Sequence, residues 1–223
     1  MPATCKASFF LVILVVTATG LFVSVQPAYA KSLCGTTIKT SVTLTADLTC
    51  HTAVGIKIGA NGITLNCAGH VIDGSGTLNS EGIYLPKRSH VTVENCHVED
   101  FYFAGIFLYH SSHNTVKNNV LSGDNTISDG CGSGEQGAIQ VWSSSSSNTI
   151  TDNVASGNYC QGFIVLGGSS NTLSNNLAES NLLYGFRDFT TGSGTADTAN
   201  TYTSNTCMSN NSGGAQSSPV GLC

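Results

Sequence analysis

The chain has 223 residues, only 9% of them charged, and a formal net charge of −5. A weak negative charge without basic runs leaves no electrostatic case for nucleic acid or for an anionic membrane surface. Asparagine, serine, threonine and glycine fill most polar positions, and the regular spacing of the apolar residues, 40% of the chain, excludes a disordered polar tract.

The N-terminus reads as an export signal. Lys6 precedes an apolar run from Phe9 to Val25, and Ala28-Tyr29-Ala30 makes a small-x-small cleavage site. Residues 1–30 are expected to be a signal peptide, with the mature protein beginning at Lys31, secreted or periplasmic and free of the membrane. An uncleaved anchor is the alternative for so long a run. Cleavage removes Cys5 and leaves Cys34, Cys50, Cys67, Cys96, Cys131, Cys160, Cys207 and Cys223. An even count in an exported chain points to disulfides, and the lack of any C-x-x-C speaks against a structural zinc or thioredoxin-like centre. Spacing does not decide among the connectivities. Sequential pairing (Cys34–Cys50, Cys67–Cys96, Cys131–Cys160, Cys207–Cys223) is the arrangement expected.

Residues 31–74 should form an N-terminal cap and the first coils. Ile38, Val42, Leu44 and Leu48, then Val54, Ile56 and Ile58, then Ile63 and Leu65, then Val71 and Ile72 make short alternating runs separated by Gly, Asn and Asp, the pattern of strands. Repeats fill residues 75–206. SHNTVKNN (Ser112 to Asn119) returns as SSNTITDN (Ser146 to Asn153), SSNTLSNN (Ser169 to Asn176) and ANTYTSN (Ala199 to Asn205), with SHVTVENC (Ser89 to Cys96) upstream. The closing asparagines Asn119, Asn153, Asn176 and Asn205 are 34, 23 and 29 residues apart, a 23-residue unit with two insertions.

Each unit also carries a second run: Gly82–Leu85, Gly105–Leu108, Ala138–Val141, Gly162–Val165 and Gly185–Asp188, with Gly55–Ile58 earlier. A unit this short cannot bury a face alone and must stack on its neighbours. The fold class is therefore all-β, a single right-handed parallel β-helix of about six coils, closed by a C-terminal cap over residues 207–223. A β-sandwich also offers short strands, but its hairpins need no fixed period. Stacking sets equivalent asparagines about 4.8 Å apart. Asn119, Asn153, Asn176 and Asn205 should form an internal amide ladder, with a second from Asn114, Asn148, Asn171 and Asn200. Asparagine also tolerates the left-handed corner such a coil demands. The insertions, Asp124 to Gly134 and Thr191 to Ala199, read as loops leaving the coil, where binding faces are built.

CGTTIKTSVTLTADLTC, GITLNCAGHVIDGSG, VTVENCHVEDF and the repeated S-x-N-T-[VIL]-x-x-N together resemble exported right-handed parallel β-helix repeat proteins. The nearest groups are the periplasmic, copper-associated NosD-type proteins and the carbohydrate-binding and sugar-hydrolase β-helices, which are pectin lyase-like. The resemblance implies the fold over Cys34 to about Cys207. It implies less about activity, since the motif encodes coil geometry.

Alternation identifies the candidate site. With Ile83, Leu85, Ile106, Leu108, Ile139, Val141, Phe163 and Val165 inward, Lys57, Tyr84, Phe107, Gln140, Ile164 and Arg187 form one outward row. Gly59, Pro86, Tyr109, Trp142, Leu166 and Phe189 form the next. The aromatic rings suit the apolar faces of sugars, so Tyr84, Phe107, Tyr109, Gln140, Trp142 and Arg187 are candidate residues for binding a polysaccharide or other glycan. Burial of this stripe under the insertion loops is the competing reading. Catalytic residues are not recognised. The acid sets of β-helix hydrolases and lyases are absent, Arg187 beside Asp188 lacks a second carboxylate, and Glu99-Asp100 with Asp73 and His97 reads as solvated turns. A lyase or glycoside hydrolase, and an accessory or structural protein docking a protein partner, are the alternatives. His90 and His113 occupy equivalent positions in adjacent coils with His110 nearby. They are candidate ligands for copper or zinc, set against a plainer reading as turn histidines.

Overall fold

The alternating runs pair as strands because each carries an apolar residue every second position and ends at a polar corner residue. The computed structural model describes residues 33–75, 81–126, 131 and 135–223. The expected signal peptide, residues 76–80 at the start of the repeats and most of the first insertion lie outside them.

Three strands close a coil. Thr36–Ile38, Val42–Thr43 and Leu48–Thr49 make the first, and Val54–Ile58, Thr64–Asn66 and Val71–Asp73 the second. The same order returns down to Phe186–Asp188, Thr201–Thr203 and Thr206–Met208, after which Ser217–Ser218 closes the solenoid. Equivalent strands of successive coils pair in parallel into three sheets of eight, seven and seven strands, here called A, B and C in the order met within a coil. This is a parallel β-helix. It has seven complete coils rather than about six, because the segment from Thr36 to Thr49 closes a turn without the Asn-rich motif.

The interior is a column of like residues. In sheet A, Ile56, Ile83, Ile106, Ile139, Phe163 and Phe186 stack in register, and the Phe163 and Phe186 rings lie parallel at 4.6 Å. Leu65, Val93, Val116, Ile150, Leu173 and Tyr202 do the same in sheet B. All are buried, so each coil hides the apolar face that it could not hide alone. Four disulfides join Cys34 to Cys50, Cys67 to Cys96, Cys131 to Cys160 and Cys207 to Cys223, the sequential pairing expected. Among the described residues no helix is long and apolar enough to cross a membrane.

Candidate functional site

The asparagines are structural. Asn119 Nδ2 donates to Asn153 Oδ1 at 2.9 Å, Asn153 to Asn176 at 3.0 Å and Asn176 to Asn205 at 3.1 Å, while the Asn114, Asn148, Asn171 and Asn200 ladder repeats the pattern at 2.9–3.0 Å. Each rung's Oδ1 also accepts the backbone N–H of the rung before it, which no sheet can pair at a corner. A third ladder, not anticipated, lines the corner between sheets C and A. Its rungs are Asp124, Asn158, Asn181 and Asn210. The signal was present, since Asn148, Asn153 and Asn158 recur at five-residue intervals, as do Asn171, Asn176 and Asn181. One local expectation is corrected. The left-handed backbone belongs to the residue before each rung of the Asn119, Asn153, Asn176 and Asn205 ladder, namely Asn118, Asp152, Asn175 and Ser204, whereas the rungs serve through their amides.

The outer face of sheet A carries the candidate site. Lys57, Tyr84, Phe107, Gln140, Ile164 and Arg187 are partners in register, strand by strand, with Tyr109 opposite Trp142 in the next row. Tyr84 stacks on Phe107 at 5.5 Å, and Phe107 meets Tyr109 at 5.8 Å and Trp142 edge-on at 5.4 Å. Lys57 stands over the Tyr84 ring at 5.8 Å and Arg187 over the Phe189 ring at 4.2 Å, so a cation adjoins each end of the row. Burial and the Glu81 carboxylate push the Tyr84 phenol above its usual range, which keeps it a neutral hydrogen-bond donor.

The face is layered rather than uniformly open. Phe107 is 6% exposed and Gln140 and Ile164 are closed off, whereas Tyr84, Tyr109, Trp142, Leu166 and Arg187 are half-buried and Phe189 is exposed. The cover is Phe103, from the corner between sheets C and A. Its ring packs edge-on against Phe107 at 5.4 Å and Trp142 at 5.6 Å, and its carbonyl accepts Gln140 Nε2 at 2.8 Å. Gln140 therefore orients Phe103, and of the expected aromatic residues Tyr84, Tyr109, Trp142 and Phe189 reach solvent, beside the half-buried Phe103. Sequence reasoning missed Phe103, although Phe101-Tyr102-Phe103 is the densest aromatic run in the chain, because it falls between repeat positions. Of the two insertions, Thr191–Ala199 lies at the corner that follows this sheet, and Asp124 and Asn125, which open the other, lie at the corner that precedes it.

The remaining candidates separate. His90 and His113 stack at 5.4 Å with rings nearly parallel, both exposed, and His110 turns against Tyr109 at 4.4 Å. Among the described residues no three His, Cys, Asp or Glu side chains converge as a metal ion would require. Asp73 and Glu99 are register partners on sheet C, away from the aromatic row. Burial first and Asp100 and Asp73 next raise the Glu99 carboxyl. A shallow cavity of about 420 Å³ at the corner of sheets B and C is lined by Ala68, Gly69, Asn95, His97 and Asn118. Asp188 does not partner Arg187 in chemistry. It is buried and accepts hydrogen bonds from Asn200 Nδ2, Tyr202 Oη and both Thr190 donors, which ends the ladder that begins at Asn114.

No curated protein and no solved structure matches the chain. The right-handed β-helix region, in contrast, matches over residues 34–178 and again over 81–220, so that the two matches span almost all of the described solenoid. On that match and on its three parallel sheets, the chain belongs to the right-handed β-helix family.

Proposed function

We propose that this is an exported β-helix protein that binds a polysaccharide along the outer face of sheet A without cleaving it. The observation that carries the reading is the aromatic face in register, where Tyr84, Tyr109 and Trp142 reach solvent around Phe107, which Phe103 covers and which holds the neighbouring rings in place. Rings held rigidly at strand spacing present an apolar platform whose phenol edges bond hydroxyls, the complement of a sugar ring. Four disulfides support a site of action in an oxidising compartment.

Trp142 is the centre of the platform. Its truncation to Ala should cost about 2 kcal/mol of binding, on the order of thirtyfold in affinity, with the fold retained. Titration of oligosaccharides followed by Trp142 emission and calorimetry tests this, alongside an assay for new reducing or unsaturated ends. Saturable binding without product supports the reading. Product formation replaces it with a lyase or hydrolase, and binding unchanged in Trp142→Ala removes the platform.

A further inference from the structure

We propose that the glycan is acidic, and that its anionic substituents seat on Lys87, Arg88, His90, His110 and His113 at the corner where the chain leaves sheet A for sheet B. This rests on the platform reading above and specifies the class of sugar.

The basic residues of this acidic chain are concentrated on one sheet. Among the described residues, Lys39, Lys57, Lys87, Arg88 and Arg187 all lie on a sheet A strand or within two residues of its end. Lys117 alone lies elsewhere, on sheet B, and is neutralised by Glu94 at 3.1 Å. Six carboxylates, Asp47, Asp73, Glu94, Glu99, Asp152 and Glu179, belong to sheets B and C or to the corner between them, while Glu81, Glu135 and Asp188 lie on a sheet A strand or within two residues of one, and none of these three is at the corner after it.

At the corner after sheet A the donors concentrate in two adjacent coils, Lys87, Arg88 and His90 in one and His110 and His113 in the next. None of the five forms an ion pair among the described residues. Lys87, His90, His110 and His113 occupy left-handed corner positions with φ of 50–58°, and all four are exposed. Arg88 Nε is buried and has no hydrogen-bond partner, so a donor of fixed charge stands there without an acceptor. The coils on either side contribute Gly59-Ala60-Asn61-Gly62 and Ser143 to Ser147, which carry no charge. A patch two strands deep, on the order of 10 Å, suits one or two carboxylate or sulfate groups on a sugar chain and not the long phosphate row of a nucleic acid. His110, in contact with Tyr109, joins the patch to the platform. Charge-assisted hydrogen bonds from these donors would favour an acidic sugar over its neutral counterpart.

The test is calorimetric titration of the mature protein, in EDTA, with matched oligosaccharides on two backbones, β-1,4-glucan and α-1,4-galactan. Each backbone is supplied neutral, carboxylated at C6 and sulfated at C6. At least one acidic form should bind about tenfold or more tighter than the neutral form of its backbone. The margin should shrink as salt rises and vanish in Lys87→Gln/His110→Gln, whose exposed side chains leave the core untouched. Whether the carboxylated or the sulfated form leads identifies the substituent. Equal binding of neutral and acidic forms overturns this inference and leaves the platform standing. A preference that survives in both Lys87→Gln/His110→Gln and Arg88→Gln also overturns it, because the charge is then read elsewhere. Failure of every form to bind overturns the platform together with it.

Discussion

Asp124 stands where every later rung of its ladder is asparagine. A Cβ on Gly162 would meet Asn181 Nδ2 and one on Gly185 would meet Asn210 Nδ2, whereas on Gly105 it would meet Asp124 Oδ2, so this oxygen occupies the amide nitrogen's place. It is buried without a hydrogen bond, while Oδ1 accepts the Phe101 N–H at 3.0 Å. Burial, with a lesser push from Asp100 and Glu99, raises the carboxyl well above its usual range. A carboxyl that holds its proton more tightly when folded contributes stability that is complete below the unfolded value, about pH 4, and declines as pH rises through the folded one. Asp124→Asn, which supplies a neutral amide, should therefore raise the melting temperature at neutral pH and change it little near pH 4. Thermal denaturation across that range checks this, and a variant less stable at neutral pH would show that the carboxyl is ionised and paired.

At the scale of the element, the ladders make corner stability unequal along the solenoid. Asn153 is an inner rung, donating to Asn176 Oδ1, Val116 O and Thr151 O and accepting both the backbone and side-chain N–H of Asn119. Asn153→Ala strands several buried groups and should cost at least about 3 kcal/mol in denaturant unfolding. Asn205, the last rung of its column, accepts from Asn176 and donates only to backbone carbonyls, so Asn205→Ala should cost less, about 1–2 kcal/mol. Equal losses would mean that the column does not act as a chain.

The ladders were legible from sequence because a repeat period converts directly into stacking, and the in-register row from Lys57 to Arg187 followed from period-two alternation. The third column was harder to see, since its first rung is an acid. The Phe103 cover was not legible at all. Nothing in a strand's own alternation reveals that a side chain from the preceding corner folds over Phe107 and Gln140, and burial of outward residues is decided by that corner.

Across the whole solenoid, coils touch only their neighbours, so opening should begin at the ends. Disulfides sit at both, Cys34–Cys50 on the first coil and Cys207–Cys223 on the last. Reduction should lower stability by about 2–4 kcal/mol per bridge lost. Hydrogen exchange should then show the segments Thr36–Thr49 and Thr206–Cys223 exchanging before the strands Ala104–Tyr109 and Gly137–Trp142. Uniform loss of protection would mean a single cooperative unit. The ladders add an electrical sense to this axis. Each side-chain amide directs its NH₂ toward the next coil, so the three columns are parallel strings of dipoles, each rung polarising the next, with partial positive charge emerging at the final coil. There the chain supplies its own terminators: the Asp188 carboxylate for Asn200, the Leu222 carbonyl for Asn205 and the Gln216 side-chain oxygen for Asn210. A second molecule approaching that end finds the dipoles already answered, which is how a fold built by indefinite stacking is made to stop.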